Sequence, residues 1–326
     1  MVVPLILLCA LAGAAAPAVS PCGSAETCLA LAGSRVSLLP EGREEMRRCV
    51  DVLTPVADRW PEDWRIRWRL AQCHMSLGQF EQAMKVAGAC TTAHPGSYEC
   101  LYSFAFSTKQ AKGEEAAADL YERLAAMEIA QGRRTTALPW LVSGALKNED
   151  VGAARRWLEL ALQNATSTEE RAGLATRRAS LAILEHDKVL ALRSADEAVA
   201  LCPKRADVAV SRVFVLLVVG ELDAARKAIL ALPMGEASTF DIECVQWADR
   251  VLSRTALRGD LAAWSARHNH HRSFLLRALE AHLAGDDQVA CTVLNDGHAF
   301  AGKPFLHPFW LKGCEMPSCR LSKVTP

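Results

Sequence analysis

The stretch Trp64–Ser97, WRIRWRLAQCHMSLGQFEQAMKVAGACTTAHPGS, decides the fold of this chain. Its apolar residues recur at helical spacing with almost no two-residue alternation, so it reads as two amphipathic helices. Leu77-Gly78-Gln79-Phe80 forms the turn between them, and Pro95 closes the second helix. Gly78 takes a turn conformation at little cost, and the small Ala71 and Ala83 let the two helices approach closely. The same grammar continues outward. Between Trp64 and Gly285, Gly and Pro are sparse and Ala, Leu, Arg and Glu dominate, a composition that favours helix.

This unit resembles a tetratricopeptide repeat. That family places Leu-Gly/Ala in the first helix, Gly before an aromatic in the turn, small residues in the second helix and Pro at the end. Leu70-Ala71, Gly78, Phe80, Ala83 and Pro95 occupy those places, whereas His74 and Cys90 depart from the usual Tyr and Ala. Copies follow at Leu184–Lys188 with Ala191, Ala195, Ala198 and Pro203, at Gly220-Glu221-Leu222 with Ala225, and at Gly285-Asp286-Asp287 with Ala290. Weaker ones centre on Gly113, on Asn148-Glu149-Asp150 and on Gly259-Asp260-Leu261, and Arg43–Pro61 reads as the second helix of a degenerate leading unit. The resemblance implies an all-α fold, a right-handed superhelical array of antiparallel helix pairs (a tetratricopeptide-like α-solenoid), over residues 43–297. A helical solenoid of another type is the competing architecture. Residues 298–326, with four Pro and a Cys pair, read as an irregular C-terminal cap or tail.

The chain has 326 residues, 37 basic and 37 acidic side chains, and 12 Cys. The charge balance excludes a polybasic nucleic-acid binder and an acidic solvating tail. Met1–Ser20 carries no charge, has an apolar run from Leu5 to Ala12, and ends on Ala16-Pro17-Ala18, which fits a cleavage site before Val19. Residues 1–18 are therefore predicted to be a secretory signal peptide, although the run lacks the usual leading Lys or Arg. Residues 19–42 form an N-terminal segment with its own Cys pair. No later run is apolar enough to span a bilayer, so no integral membrane span is expected in the mature chain. Leu8 before Cys9 and Pro21 before Cys22 argue against a lipoprotein anchor. The 27 Arg against 10 Lys point to a GC-rich bacterial gene. The expected location is outside the cytoplasm: periplasmic, outer-surface or secreted.

Export makes the cysteines intelligible, because an oxidising compartment lets them pair. Cys90 and Cys100 lie equally far either side of Pro95, and Cys49 and Cys73 either side of Pro61, which sets each pair on facing helices. Cys22/Cys28 and Cys314/Cys319 would each close a short loop. Cys202, Cys244 and Cys291 are left over. The Cys314–Cys319 spacing is not that of a redox dithiol or a zinc site. His268, His270 and His271 form one dense cluster. His268 and His271 share a helix face and would take a divalent metal if a third ligand approached; a solvated surface cluster is the plainer reading. Neither a metal nor a cofactor is expected. No hydrolase elbow, phosphate loop, H-E-x-x-H or dinucleotide fingerprint occurs, and acidic residues alternate with Arg as in Glu44-Glu45-Met46-Arg47-Arg48. The chain reads as a non-enzyme. Asn164-Ala165-Thr166 matches a glycosylation sequon, relevant only to a eukaryotic secretory route.

The resemblance also implies where a partner would bind, since first helices in such arrays line a concave groove for extended or helical peptides. Matched unit by unit, the groove positions are Arg65, Trp68, Gln72 and Met75, then Tyr102 and Phe106, then Val210, Phe214 and Leu217. The Lys and Asn pattern with which some family members clamp a terminal carboxylate is missing. Val208–Val219 is apolar almost all round, so burial under the C-terminal segment competes with a groove role there. The reading is an exported protein–protein interaction scaffold. One alternative is a structural subunit of an envelope secretion or pilus assembly; another is a metal- or thiol-dependent protein.

Overall fold

In a computed structural model the chain is described over residues 22–32, 42–233, 235, 237–301, 307–312 and 314. The expected signal peptide and Cys319 lie outside these residues. Among the described residues there are sixteen α-helices and no strand. The chain divides into two compact units, Met1–Leu120 and Tyr121–Pro326.

Unit 1 holds α1 (Ala25–Leu31), α2 (Arg43–Leu53), α3 (Trp64–Ser76), α4 (Phe80–Ala93) and α5 (Tyr98–Lys112), and the boundary falls in α6 (Glu114–Ala130). Helix α3 begins where the Asp63 carboxylate accepts the Arg65 N–H, and α5 where the Ser97 hydroxyl accepts the Cys100 N–H. Such caps satisfy backbone donors that the first turn leaves open. Met46, Cys49, Leu53, Ile66, Leu70 and Cys73 bury one core, which Cys22 and Cys28 of the N-terminal segment join. A Cβ on Gly88 of α4 would sit 3.2 Å from the Phe104 ring of α5, so glycine permits that close packing. Disulfides join Cys22 to Cys28, Cys49 to Cys73 and Cys90 to Cys100, with Cα separations of 5.3, 6.3 and 5.5 Å.

Unit 2 continues with α7 (Ala137–Lys147), α8 (Val151–Asn164), α9 (Thr168–Leu184), α10 (Lys188–Leu201), α11 (Ala206–Val218) and α12 (Leu222–Leu230). It ends with α13 (Thr239–Leu252), α14 (Arg258–His268), α15 (His271–Leu283) and α16 (Asp287–Ala301). Helices pair antiparallel across tight turns, and each turn from α3/α4 to α15/α16 holds one residue with positive φ. These are Gly78, Gly113, Glu149, His186, Gly220, Arg254 and Gly285, at intervals of 31–37 residues. That register is the repeat itself, and the chain is a tetratricopeptide-like series of helix pairs. A left-handed conformation costs a non-glycine residue roughly 1–2 kcal/mol. At Glu149 and His186 the next residue offsets it: Asp150 accepts the Ala153 N–H and Asp187 the Leu190 N–H, at 2.9 and 2.8 Å, each cap worth about 1 kcal/mol. One expected turn is corrected. Gly259-Asp260-Leu261 lies inside α14, and the chain turns earlier, at Arg254, where no glycine marks it.

Val210, Val213, Phe214 and Leu217 of α11 form the core of unit 2 with Cys244, Ala248, Leu275, Leu279 and Leu294. A Cβ on Gly297 would lie 2.5 Å from Phe274, so any side chain there forces α15 and α16 apart. Helix α16 continues through His298 to Ala301, into the stretch expected to be irregular. The segment His307–Lys312 then lies over the end of α11. Phe309 N–H donates to the Val218 carbonyl and Trp310 Nε1–H to the Leu217 carbonyl, both at 2.8 Å, while Trp310 stacks on His282. Carbonyls at a helix end lack intrahelical donors, which gives this docking its polar anchor. A further correction concerns Cys314, which is bonded to Cys291 of α16 rather than to Cys319, with Cα atoms 5.5 Å apart. The chain returning along α16 makes Cys291 its spatial neighbour. No described helix is long and apolar enough to cross a membrane.

Candidate functional site

The expected groove residues separate into two groups. In unit 1, Arg65, Trp68, Gln72 and Met75 are all partly exposed on α3, and α3 packs against α5. The Trp68 ring lies 5.7 Å from Trp64. On α5, Tyr98, Tyr102 and Phe106 stack as a ladder with ring separations of 6.0 and 6.4 Å, and Tyr102 is 37% exposed. The i, i+4 spacing that builds this ladder was present in the sequence and identifies Tyr98 and Trp64 as further members of the surface. Arg65 is already engaged: its guanidinium reaches Asp63 at 2.7 and 2.8 Å and Glu26 at 2.6 Å. The hydrogen bond from Arg65 holds Asp63 below its ordinary value, and Asp63, then Glu26, hold Arg65 above its own. The surface is therefore aromatic with an internally neutralised edge.

In unit 2 the expectation is overturned. Val210, Phe214 and Leu217 are each 0% exposed. Helix α11 keeps only a narrow polar edge of Asp207, Ser211 and Arg212, and the other helices of the core together with Phe309 and Trp310 cover the rest. The Arg272 guanidinium sits 4.8 Å from the Phe214 ring, held by Asp241 at 2.6 Å. These three residues are core.

The histidine cluster does not share one helix face, because His268 ends α14 and His271 begins α15, and its rings pack on one another and on Phe240. His268 pairs with Glu243 at 2.9 Å, and His270 caps α15 by accepting the Arg272 N–H. A different group converges instead. The Nε2 atoms of His298 and His307 lie 2.5 and 2.9 Å from the same Oε1 of Glu149, with the two rings nearly perpendicular. Burial pushes Glu149 up, but the hydrogen bonds from both histidines outweigh it and hold its carboxyl below the usual range. Burial also pushes the His307 imidazole down against the pull of Glu149. Among the described residues this is the group whose three ligand atoms, all within 4.8 Å of one another, could hold a metal ion. Sequence reading missed it because the contacts span 149 and 158 residues, which no local spacing encodes.

Two thiols remain free among the described residues, the half-buried Cys202 and the buried Cys244; burial pushes Cys244 up to about 12, which does not favour thiol chemistry there. A cavity of about 190 Å³ in unit 2 is lined by Arg134, Arg177 and Arg205 but also by Glu169 and Glu170. Arg177 donates there to Ser143 Oγ at 3.0 Å and to the Gly173 carbonyl at 3.1 Å.

No protein-family model matches the sequence, and no curated protein matches it. Among solved structures it is similar to a chain of the APC/C hetero-tetramer Cut9–Hcn1, at 15% identity over 79% of this chain, with a TM-score of 0.48. It spans 44% of that chain's length. PilF of Pseudomonas aeruginosa matches 73% of this chain and 91% of its own at 14% identity, TM-score 0.45. YrrB, a TPR protein with an unusual peptide-binding site, matches 79% of this chain and 96% of its own at 12% identity, TM-score 0.29. These are likenesses of architecture at low identity, and the partners of those proteins do not carry over.

Proposed function

We propose that this protein is a non-enzymatic, exported scaffold that binds a segment of a protein partner on the α3–α5 face of unit 1. One observation carries the reading: the Tyr98–Tyr102–Phe106 ladder leaves Tyr102 37% exposed on a helix packed against the one that bears Trp68. Tyr and Trp are the residues that most often anchor partners, because they bury large areas with few rotatable bonds. The edge around Arg65 is already neutralised, so recognition rests on apolar anchors rather than on charge. The uncharged leader at residues 1–18 and the paired cysteines support export. A second reading, a structural subunit of an envelope assembly, is favoured by the His307–Lys312 segment closing the face of α11.

The test is selection of displayed random peptides on the immobilised full chain. Enriched peptides carrying aromatic or aliphatic anchors, whose binding Tyr102→Ala weakens, support the proposal. Enrichment that is indifferent to Tyr102→Ala overturns it.

A further inference from the structure

Helix α16 and the returning C-terminal segment are clamped at two places. Cys291 is bonded to Cys314, and His298 meets His307 through Glu149. Each clamp lies seven residues from the other on both strands, so the segment runs back along two turns of α16, about 10.5 Å. The first clamp is covalent. The second brings a carboxylate oxygen and two imidazole nitrogens to one point, with His298 1% exposed and the Glu149 and His307 side chains 18% and 16% exposed.

We propose that Glu149, His298 and His307 form a metal site for a zinc-class divalent ion that pins the C-terminal segment to the α7–α8 turn. Two imidazoles and a carboxylate suit Zn²⁺, whereas Mg²⁺ and Ca²⁺ seek all-oxygen sets. Zinc bonds of about 2.0–2.2 Å place tetrahedral ligand atoms roughly 3.3 Å apart. The present separations of 2.5 and 2.9 Å need open by less than about 1 Å. Three protein ligands leave a fourth position. His307 also lines a cavity of about 80 Å³ with His186, Leu294, Pro308, Leu311 and Cys314, enough for a water ligand. Two local features fix the ligands in place. Glu149 occupies the left-handed position of its turn, where four of the seven repeats have glycine. Gly297 lets α16 approach Phe274 closely, next to the buried His298. An ion here would do for the segment's start what the disulfide does for its end.

The test uses the full chain with its disulfides intact, stripped with EDTA, desalted and titrated with zinc chloride by calorimetry. One zinc per chain is expected, with a rise in thermal midpoint. Losing a partner that merely supports a ligand costs 10- to 100-fold in affinity, so His307→Ala and Glu149→Gln are each expected to weaken zinc binding by at least about 100-fold. His268→Ala, in the other histidine cluster, leaves it unchanged. Circular dichroism checks each fold; Glu149→Gln keeps a neutral acceptor and carries the test if His307→Ala does not fold. A folded wild-type chain that takes up no zinc overturns the site and leaves a hydrogen-bonded lock. Zinc uptake that survives both substitutions overturns it as well.

Discussion

Breaking the covalent clamp, with Cys291→Ser and Cys314→Ser together, should release the C-terminal segment without unfolding unit 2. Ordering the six residues His307–Lys312 costs about 6–12 kcal/mol at 1–2 kcal/mol per residue. Burying Phe309 and Trp310 returns at most about 3–6 kcal/mol. Their hydrogen bonds to the Val218 and Leu217 carbonyls add about 1–3 kcal/mol. The noncovalent docking is thus close to balance, and the tether decides. A disulfide spanning 23 residues removes about 3 kcal/mol of loop entropy from the undocked chain. The expected result is a roughly hundredfold loss of protection at the Phe309 amide, converted from that figure. Hydrogen exchange read by mass spectrometry on peptides covering 307–314 measures it, with EDTA present so that no ion holds His307. Protection within about threefold of wild type would refute the reasoning, because the aromatic docking would then suffice alone.

Two further outcomes follow from burial and charge. Phe214→Ala should cost unit 2 about 3–5 kcal/mol in urea unfolding, as expected of a fully buried aromatic, whereas Tyr102→Ala should cost less than about 1 kcal/mol; near-equal values contradict the assignment of Phe214 to the core. Glu170 closes the capping box of α9 and accepts from Thr166 and Ser167, and although burial pushes it up, these bonds and Arg134 hold it below its ordinary value. A depressed folded value means its contribution is present above the unfolded carboxylate value of about 4.3 and is lost as pH falls through the folded one. Glu170→Ala should therefore cost about 1–2 kcal/mol at pH 7, with the gap to wild type closing as pH falls below the unfolded carboxylate value; a gap that stays constant on acidification until unfolding contradicts it.

The helix pairs were legible where their turns carried chemical punctuation. Gly78, Phe80 and Pro95 bracket α4, and Gly220 and Gly285 mark later turns at the same step. The turn at Arg254 was not legible, because a basic residue in the left-handed region leaves no compositional trace and Gly259, inside α14, drew the assignment instead. Helix α11 shows why matching positions to a family misplaces residues. Val210, Phe214 and Leu217 stand where a groove would be, but on a helix apolar almost all round they are fully buried and leave no open apolar face. The pairing of Cys314 with Cys291, like the meeting of Glu149 with His298 and His307, depends on the chain turning back along α16. That return is a tertiary event, and nearest-neighbour reading assigned Cys314 to Cys319. The aromatic ladder on α5 was visible in part, since Tyr102 and Phe106 were named while Tyr98, one turn earlier, was not.

The central claim is that partner recognition belongs to the α3–α5 face of unit 1. It is tested most directly by titrating a selected, fluorescently labelled peptide into wild type, Tyr102→Ala and Val189→Ala, the last altering a 74% exposed apolar residue on α10. The account predicts that Tyr102→Ala weakens binding by at least about tenfold, as truncating an aromatic anchor does, and that Val189→Ala matches wild type. Equal affinity for all three proteins, or a loss confined to Val189→Ala, would contradict it.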